Sequence, residues 1–272
     1  MADYSYKRRS SDWNYGGSKW KLSRSKIDLF TECKRCFYLD NALGVSRPKG
    51  PSFSLNIAVD ELLKKEFDIH RLNGTSHPLM EKYGVDAVPF RHKDMDLWRH
   101  NFTGIQFFHE KTGFLVTGAI DDVWVNPKGE LIVVDYKATS KEGKIETLSD
   151  SGWEAQYKRQ LEVYQWLLRQ NGFKVSKTGY FVYVNGKKDG KDFDGKLEFD
   201  VTLIPHEGDD SWVSGTLEQI KKCLDDSRVP AHGKSCDFCN YTKVLGDVLR
   251  DKASPKKPKK SDSTETTEEM LF

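Results

Sequence analysis

The stretch from Gly118 to Thr139 constrains the fold of this chain most, because it predicts two β-strands joined by a tight turn. The segment Pro127-Lys128-Gly129 suits a three-residue hairpin loop, with proline where φ is near −65° and glycine where φ is positive. That loop places Asp121 directly opposite Asp135. A four-residue loop would shift the register by one residue and bring Asp122 to that position instead. We favour Asp121 and keep Asp122 as the alternate.

The second strand carries a carboxylate and an ammonium on the same face. Asp135 and Lys137 are two residues apart, and side chains two residues apart on a strand point the same way. Two packed carboxylates repel unless a cation compensates, and Mg²⁺ or Mn²⁺ binds both carboxylate and phosphate oxygens. Such an ion activates water, while Lys137 can orient that water or stabilise the transition state. The layout predicts a metal-dependent phosphodiesterase, and two ordinary amphipathic strands remain the alternative.

A long helix is predicted for residues 153–170, which contain few helix breakers and carry apolar side chains at nearly helical spacing. Gln160 and Tyr164 are four residues apart and therefore project from the same side. Packing in the core is the alternative explanation for Tyr164.

Three motifs in this order resemble those of the PD-(D/E)XK nuclease superfamily. They are Gly118-Ala119-Ile120-Asp121, Asp135-Tyr136-Lys137 and Gln160-Leu161-Glu162-Val163-Tyr164. The subgroup that they resemble is RecB-like and includes the exonucleases of CRISPR adaptation and AddAB-type repair nucleases. The resemblance covers about residues 22–241. It implies an α/β fold with a restriction-endonuclease-like core, a mixed central sheet flanked by helices.

The resemblance also implies roles for individual residues. The catalytic residues it implies are Asp121, Asp135, Lys137, Gln160 and Tyr164, the last two approaching the nucleic acid strand. Asp121 and Asp135 would hold Mg²⁺ or Mn²⁺ together with Asp60 and the backbone carbonyl of Tyr136. Asp60 stands where family members often carry histidine, so the sequence departs from the pattern there.

Four of the five cysteines form two Cys-x-x-Cys pairs, Cys33/Cys36 and Cys236/Cys239, and Cys223 is left over. The sequence shows no signal peptide and no long apolar segment, so we expect a cytoplasmic chain without disulfides or membrane association. The two pairs suit zinc or an iron–sulfur cluster and would join the N-terminal helix to the C-terminal segment. Iron–sulfur members of the family supply three C-terminal cysteines. Here one is missing and Cys36 would replace it, which leaves iron–sulfur and zinc both open.

Charge and composition divide the chain into three parts. The net charge is only +2, which is no global signature of nucleic-acid binding, although Lys7-Arg8-Arg9 lies among aromatic residues. We predict a flexible N-terminus over residues 1–20, a nuclease domain over 21–247 and a disordered tail over 248–272. The tail is rich in lysine and proline, then acidic, and it ends in Met270-Leu271-Phe272. That tripeptide is a candidate docking motif for a protein partner, and a functionless end is the alternative.

The predicted helices are 25–42, 54–71, 153–170 and 210–224, and the strands outside the hairpin are 104–109, 178–184 and 197–204. We expect the strand at 104–109 to continue into the hairpin as a three-stranded meander, and residues 73–93 to form a loop. The function predicted is an exonuclease-like DNA nuclease of repair, recombination or foreign-DNA processing. The alternatives are a non-catalytic module of nuclease fold that binds DNA or protein, and a cluster-bearing redox sensor.

Overall fold

The computed structural model describes residues 8–50 and 53–253, and the chain divides into two compact units, Met1–Gly233 and Lys234–Phe272. The helices are α1 (Arg24–Glu32), α2 (Lys34–Asn41), α3 (Ser54–Asn73), α4 (Pro78–Lys82), α5 (Met95–Arg99), α6 (Gly152–Gln170), α7 (Trp212–Asp225) and α8 (Asp237–Ala253). The strands are β1 (Leu22–Ser23), β2 (Val88–Pro89), β3 (Ile105–His109), β4 (Phe114–Gly118), β5 (Asp122–Val125), β6 (Leu131–Thr139), β7 (Thr178–Gly186) and β8 (Phe199–Glu207). None of the described helices is both long and apolar enough to span a bilayer.

The strands form two mixed sheets in the first unit. One sheet has the order β1-β4-β3 and the other has the order β2-β5-β6-β7-β8. In the larger sheet β6 and β7 run parallel, and the remaining neighbours are antiparallel. Helix α6 connects the two parallel strands, as parallel pairing requires a long crossover. The predicted α/β class, a mixed sheet flanked by helices, is confirmed.

Side chains that alternate along β6 pack into two hydrophobic clusters, one that includes residues of α6 and one that includes Phe67 of α3. Val133 packs in the cluster that includes Leu161 of α6, whereas Val134 packs in the cluster that includes Phe67 of α3. The Phe67 ring stacks on Trp124 at a centroid distance of 5.5 Å, which fixes α3 against the sheet. Because side chains alternate between the two faces of a strand, residue 135 shares the α6 side with Val133.

The hairpin of β5 and β6 has the register predicted from its turn. Asp122 pairs with Val134 and Val125 pairs with Leu131, and Gly129 in the loop has a φ of +71°. Continuing this register by one residue sets Asp121 across from Asp135. The three-residue loop is therefore confirmed.

The meander expected ahead of this hairpin is wrong. β3 pairs with β4, and both belong to the smaller sheet, so the chain leaves one sheet after Gly118 and enters the other at Asp122. The residues between them, including Asp121, lie where the two sheets separate. The predicted loop 73–93 likewise contains short elements, α4 and β2.

The single helix predicted over residues 25–42 is interrupted. Cys33 has an extended backbone with a φ of −158°, which ends α1 and caps α2. The backbone N–H of Cys36 donates to the Cys33 sulfur at 3.5 Å. The first cysteine of this Cys-x-x-Cys pair therefore caps the start of α2.

Residues 8–20 belong to the segment predicted to be flexible, and in the structure they contact the fold. The backbone N–H of Tyr15 donates to the Asn41 carbonyl at 2.7 Å, and Trp20 donates from its ring to the Asn41 side chain at 3.1 Å. Residues 248–253 of the predicted tail form the end of α8, and the rest of the tail with its Met270-Leu271-Phe272 end, like Lys7, lies outside the described residues.

Candidate active site

A groove of about 620 Å³ opens in the first unit where β1, α3, the end of β4, β6 and α6 approach one another. Most of the side chains that line it are polar, and the charged ones come from α1, α3, β6 and the connection between β4 and β5. The lining residues used below are Arg24, Phe53, Asn56, Ile57, Asp60, Gly118, Asp121, Tyr136, Lys137, Gln160 and Tyr164.

Asp135 lies at the base of this site and is fully buried. Its carboxylate forms an ion pair with Lys137, yet neither oxygen has a well-formed hydrogen bond within the described residues. Burial raises the pKa of Asp135 to about 7, because the attraction of Lys137 only partly offsets desolvation and the charge of Asp121 adds to it. A buried carboxylate with unsatisfied oxygens is in a position suited to coordinate a cation.

The Asp121 carboxylate repels the carboxylates of Asp60 and Asp135 and, in addition to burial, its charge raises the pKa of both. One oxygen accepts the backbone N–H of Tyr136 at 3.0 Å, and the other lies 3.8 Å from the Lys64 ammonium. Lys64 also binds Asp60, at 2.6 Å. Burial, and then the charge of Asp121, raise the pKa of Asp60. A single lysine therefore lies beside two of the predicted metal ligands.

Lys64 was missed by the sequence analysis. Its only signal is its position four residues after Asp60, the spacing of an intrahelical ion pair.

Lys137 is held in its charged form. Burial by itself would lower the pKa of this lysine, but Asp135 and Asp121 raise it above its usual value. The ammonium also lies 4.7 Å from the centroid of the Tyr157 ring, a cation–π contact. Lys137 is therefore a hydrogen-bond donor and a positive charge in this site, rather than a proton acceptor.

Gln160 and Tyr164 meet in the groove as their spacing predicted. The Gln160 amide donates to the Tyr164 hydroxyl at 3.0 Å. A Cβ added to Gly118 would lie 2.7 Å from the Tyr164 ring, so the glycine of the first motif is what allows this ring to pack there. Arg24 is a further groove residue that the sequence analysis missed. The charges of Tyr164 and Asp135 raise its pKa against the opposite effect of burial.

Asp122, the alternate ligand, points away from the groove and is fully buried. Its carboxylate is bound by the guanidiniums of Arg71 and Arg99, the latter at 3.1 Å, and by the Tyr136 hydroxyl at 2.8 Å. Arg71 and Arg99 also share Asp68 as a partner. The oxygens of Asp122 are thus already satisfied, and the geometry favours Asp121 as the first-strand ligand.

The acids of this site are of the ligand type that a hard divalent cation takes. Asp60 and Asp121 line the groove with Tyr136, and the buried Asp135 is paired with the groove residue Lys137. Oxygen-only sites of this kind suit Mg²⁺ or Mn²⁺. The carbonyl of Tyr136 accepts a long hydrogen bond of 3.5 Å from the Lys137 side chain.

Two Cys-x-x-Cys pairs offer further candidate metal ligands. Cys33/Cys36 lies in the first unit and Cys236/Cys239 in the second, and all four residues are buried. The described residues include all five cysteines, and no disulfide joins any of them. Thiols in such pairs could hold a metal, as their spacing predicted. Cys223 is separate, and burial raises the pKa of its thiol.

Comparisons with known proteins address the family. No curated protein matches the chain. Among solved structures, the chain is similar to the protein described as "Crystal structure of SSO0001", with 16% sequence identity, a TM-score of 0.40, and coverage of 82% of this chain and 84% of the other. The sequence matches the PD-(D/E)XK nuclease superfamily over residues 21–244, which is most of its length. The chain therefore belongs to the PD-(D/E)XK nuclease superfamily.

Proposed function

We propose that this protein is a metal-dependent DNA nuclease that hydrolyses phosphodiester bonds in the groove. The observation that carries the proposal is the buried Asp135 carboxylate, which has one ammonium partner, Lys137, and a second carboxylate, Asp121, beside it. Burying a carboxylate next to another one is costly, and such cost is typical of functional sites rather than of stabilising ones.

Each charged residue of the site has a distinct part in this proposal. Asp60, Asp121, Asp135 and the Tyr136 carbonyl are the residues that would hold Mg²⁺ or Mn²⁺. A divalent ion bound there supplies an acidified water and neutralises charge on the phosphate. Lys137, fixed as an ammonium by its carboxylate neighbours, donates a hydrogen bond to the attacking water or to the oxygen on which charge develops.

The remaining groove residues position the strand. The Gln160 amide and the Tyr164 hydroxyl form a hydrogen-bonded pair, and the Arg24 guanidinium adds positive charge in the same groove. Guanidiniums bind phosphates in a bidentate geometry. We infer that these three groups contact the sugar–phosphate backbone next to the cleaved bond and that cleavage is exonuclease-like.

The two Cys-x-x-Cys pairs would hold an iron–sulfur cluster, with zinc as the alternative. Their four buried cysteines supply the thiolate set that both cofactors use. Metal analysis and the visible absorption spectrum of protein purified without oxygen distinguish the two. Iron with visible absorbance supports the iron–sulfur cluster, whereas zinc in a colourless protein supports the alternative.

The nuclease proposal is tested by cleavage of end-labelled single- and double-stranded DNA with Mg²⁺ or Mn²⁺. Controls are EDTA and the variant Asp135→Asn, which keeps the side-chain volume but loses the charge. We expect cleavage that both controls abolish, and successive single-nucleotide products would establish exonuclease action. If the folded and metal-replete protein binds DNA without cutting it, the protein is instead a DNA-binding module of nuclease fold.

A further inference from the structure

We propose that Phe53 selects single-stranded DNA by stacking on an unpaired base next to the cleaved phosphate. The inference rests on the proposed nuclease function and adds a specificity-determining residue to it. Phe53 lies directly before α3 and lines the groove, with 68% of its surface exposed. A phenylalanine exposed to this degree on a polar, charged groove has no role in the hydrophobic core.

The face of α3 that borders the groove has an ordered chemistry. Ile57, Asp60 and Lys64 are spaced three or four residues apart and so share one side of the helix, and Phe53, the residue before α3, lines the groove together with Ile57 and Asp60. Ile57 is also exposed, at 54%. From the N-terminal end, the apolar side chains of Phe53 and Ile57 come first, and the charged side chains of Asp60 and Lys64 follow. A nucleotide has the same order, an apolar base face joined to a charged phosphate.

The apolar end of this face is held in place. The Asn56 side chain donates to the backbone carbonyl of Ala138 at 2.7 Å, which attaches the start of α3 to the end of β6. Lys137 precedes Ala138 directly on that strand. This hydrogen bond therefore holds the start of α3, which follows Phe53, against the strand that carries Lys137.

Stacking requires a base that is not paired. In a duplex the base faces are covered by their neighbours, and exposing one costs a few kcal/mol. A single strand presents its bases to aromatic side chains without that cost, and such stacking is sequence-tolerant. The groove, at about 620 Å³, has the size of a small-ligand pocket, which suits a nucleotide of one strand.

The experiment uses single-stranded oligothymidylate in which one abasic site is moved position by position through the strand. Binding is measured by fluorescence anisotropy with Ca²⁺ in place of Mg²⁺, for the wild type, Phe53→Ala and Phe53→Trp. Phe193→Ala is the matched control, because Phe193 is 73% exposed but lies outside the groove lining.

For the wild type we expect one abasic position to weaken binding by roughly 5- to 150-fold, the range of a lost base–aromatic stack. Phe53→Ala should weaken binding of the intact strand by a similar factor and should no longer respond to the abasic site. Phe53→Trp should restore the response, and Phe193→Ala should behave as the wild type. In cleavage assays the wild type should prefer single strands to blunt duplexes, and Phe53→Ala should lose that preference.

Equal binding by the wild type and Phe53→Ala, or an unchanged abasic response, overturns the role of Phe53, as does a wild-type preference for duplex DNA. None of these outcomes affects the proposed nuclease function if the wild type still cleaves. Absence of cleavage by the wild type refutes the nuclease function instead, and the abasic scan then still reports whether Phe53 stacks.

Discussion

Replacing Asp122 by asparagine should destabilise the protein strongly while leaving the groove carboxylates in place. Asp122 is fully buried and binds two guanidiniums that are themselves almost buried, with side-chain exposures of 8% for Arg71 and 10% for Arg99. Asparagine keeps the volume but removes the negative charge, and it turns an NH₂ group toward one of these partners. The two arginines then face a neutral side chain.

The magnitude follows from the partners that remain. Removing one partner of a buried ion pair costs about 3–5 kcal/mol. Asp68 still binds both guanidiniums, at 2.9 Å in each case, so the lower end of that range applies. A loss of about 3 kcal/mol in the free energy of unfolding corresponds to a Tm lower by about 6–12 °C for a protein of this size.

Asp121→Asn is the matched comparison, one residue away. Asp121 is half-buried and its neighbours include two further carboxylates, so neutralising it relieves repulsion. We expect a change in unfolding free energy within about 0.5 kcal/mol. Thermal and urea unfolding of both variants in EDTA, followed by circular dichroism, excludes stabilisation by bound metal. We assign Asp122 to stability and Asp121 to the groove. A Tm for Asp122→Asn within about 2 °C of the wild type, or an equal decrease in Tm for Asp121→Asn, would refute that assignment.

Three further predictions concern the groove. Gly118→Ala should lower the free energy of unfolding in urea by about 1–3 kcal/mol, because its Cβ would overlap an aromatic ring at 2.7 Å, whereas Gly215→Ala, with no atom near its Cβ, should not. Mn²⁺ affinity measured by calorimetry should fall as the pH drops below about 7 and should level off above that pH. The reason is that the pKa of Asp135 is raised to about 7, and its proton must leave before an ion binds. An Mn²⁺ affinity that stays constant from about pH 5.5 to 7 contradicts this prediction. Lys64→Met should raise Mn²⁺ affinity about fivefold by removing a competing ammonium, while the exposed Lys65→Met serves as the control and should leave it unchanged.

The parts of the site that could be predicted from the sequence are those set by local geometry. The hairpin register follows from where Pro127 and Gly129 can sit in a turn, and the shared face of Asp135 and Lys137 follows from strand alternation. The contact of Gln160 with Tyr164 follows from helix periodicity. Each of these needs only a few consecutive residues.

The parts that could not be predicted depend on packing between distant segments. Lys64 meets Asp121, and Phe53 lines the groove, because Phe67 stacks on Trp124 and fixes α3 against the sheet. The role of Asp122 depends on arginines that lie 51 and 23 residues away in the sequence. Nothing in the spacing of these residues indicates that they meet.

The helix break at Cys33 was missed for a local reason. The residues on both sides of it favour helix, and the break occurs because the cysteine caps α2 with its sulfur in place of the usual serine or aspartate.

The most direct test of the account is single-turnover cleavage of end-labelled DNA by Lys137→Ala, measured together with its Mn²⁺ and DNA binding. Lys141→Ala is the control, a lysine near the same strand whose ion pair is with Glu154 instead of the catalytic carboxylates. We predict that Lys137→Ala loses cleavage by about 10²–10³-fold while its Mn²⁺ affinity is no lower than that of the wild type and its DNA affinity stays close to it, and that Lys141→Ala cleaves normally. Cleavage by Lys137→Ala at the wild-type rate would contradict the assignment of this groove as the active site.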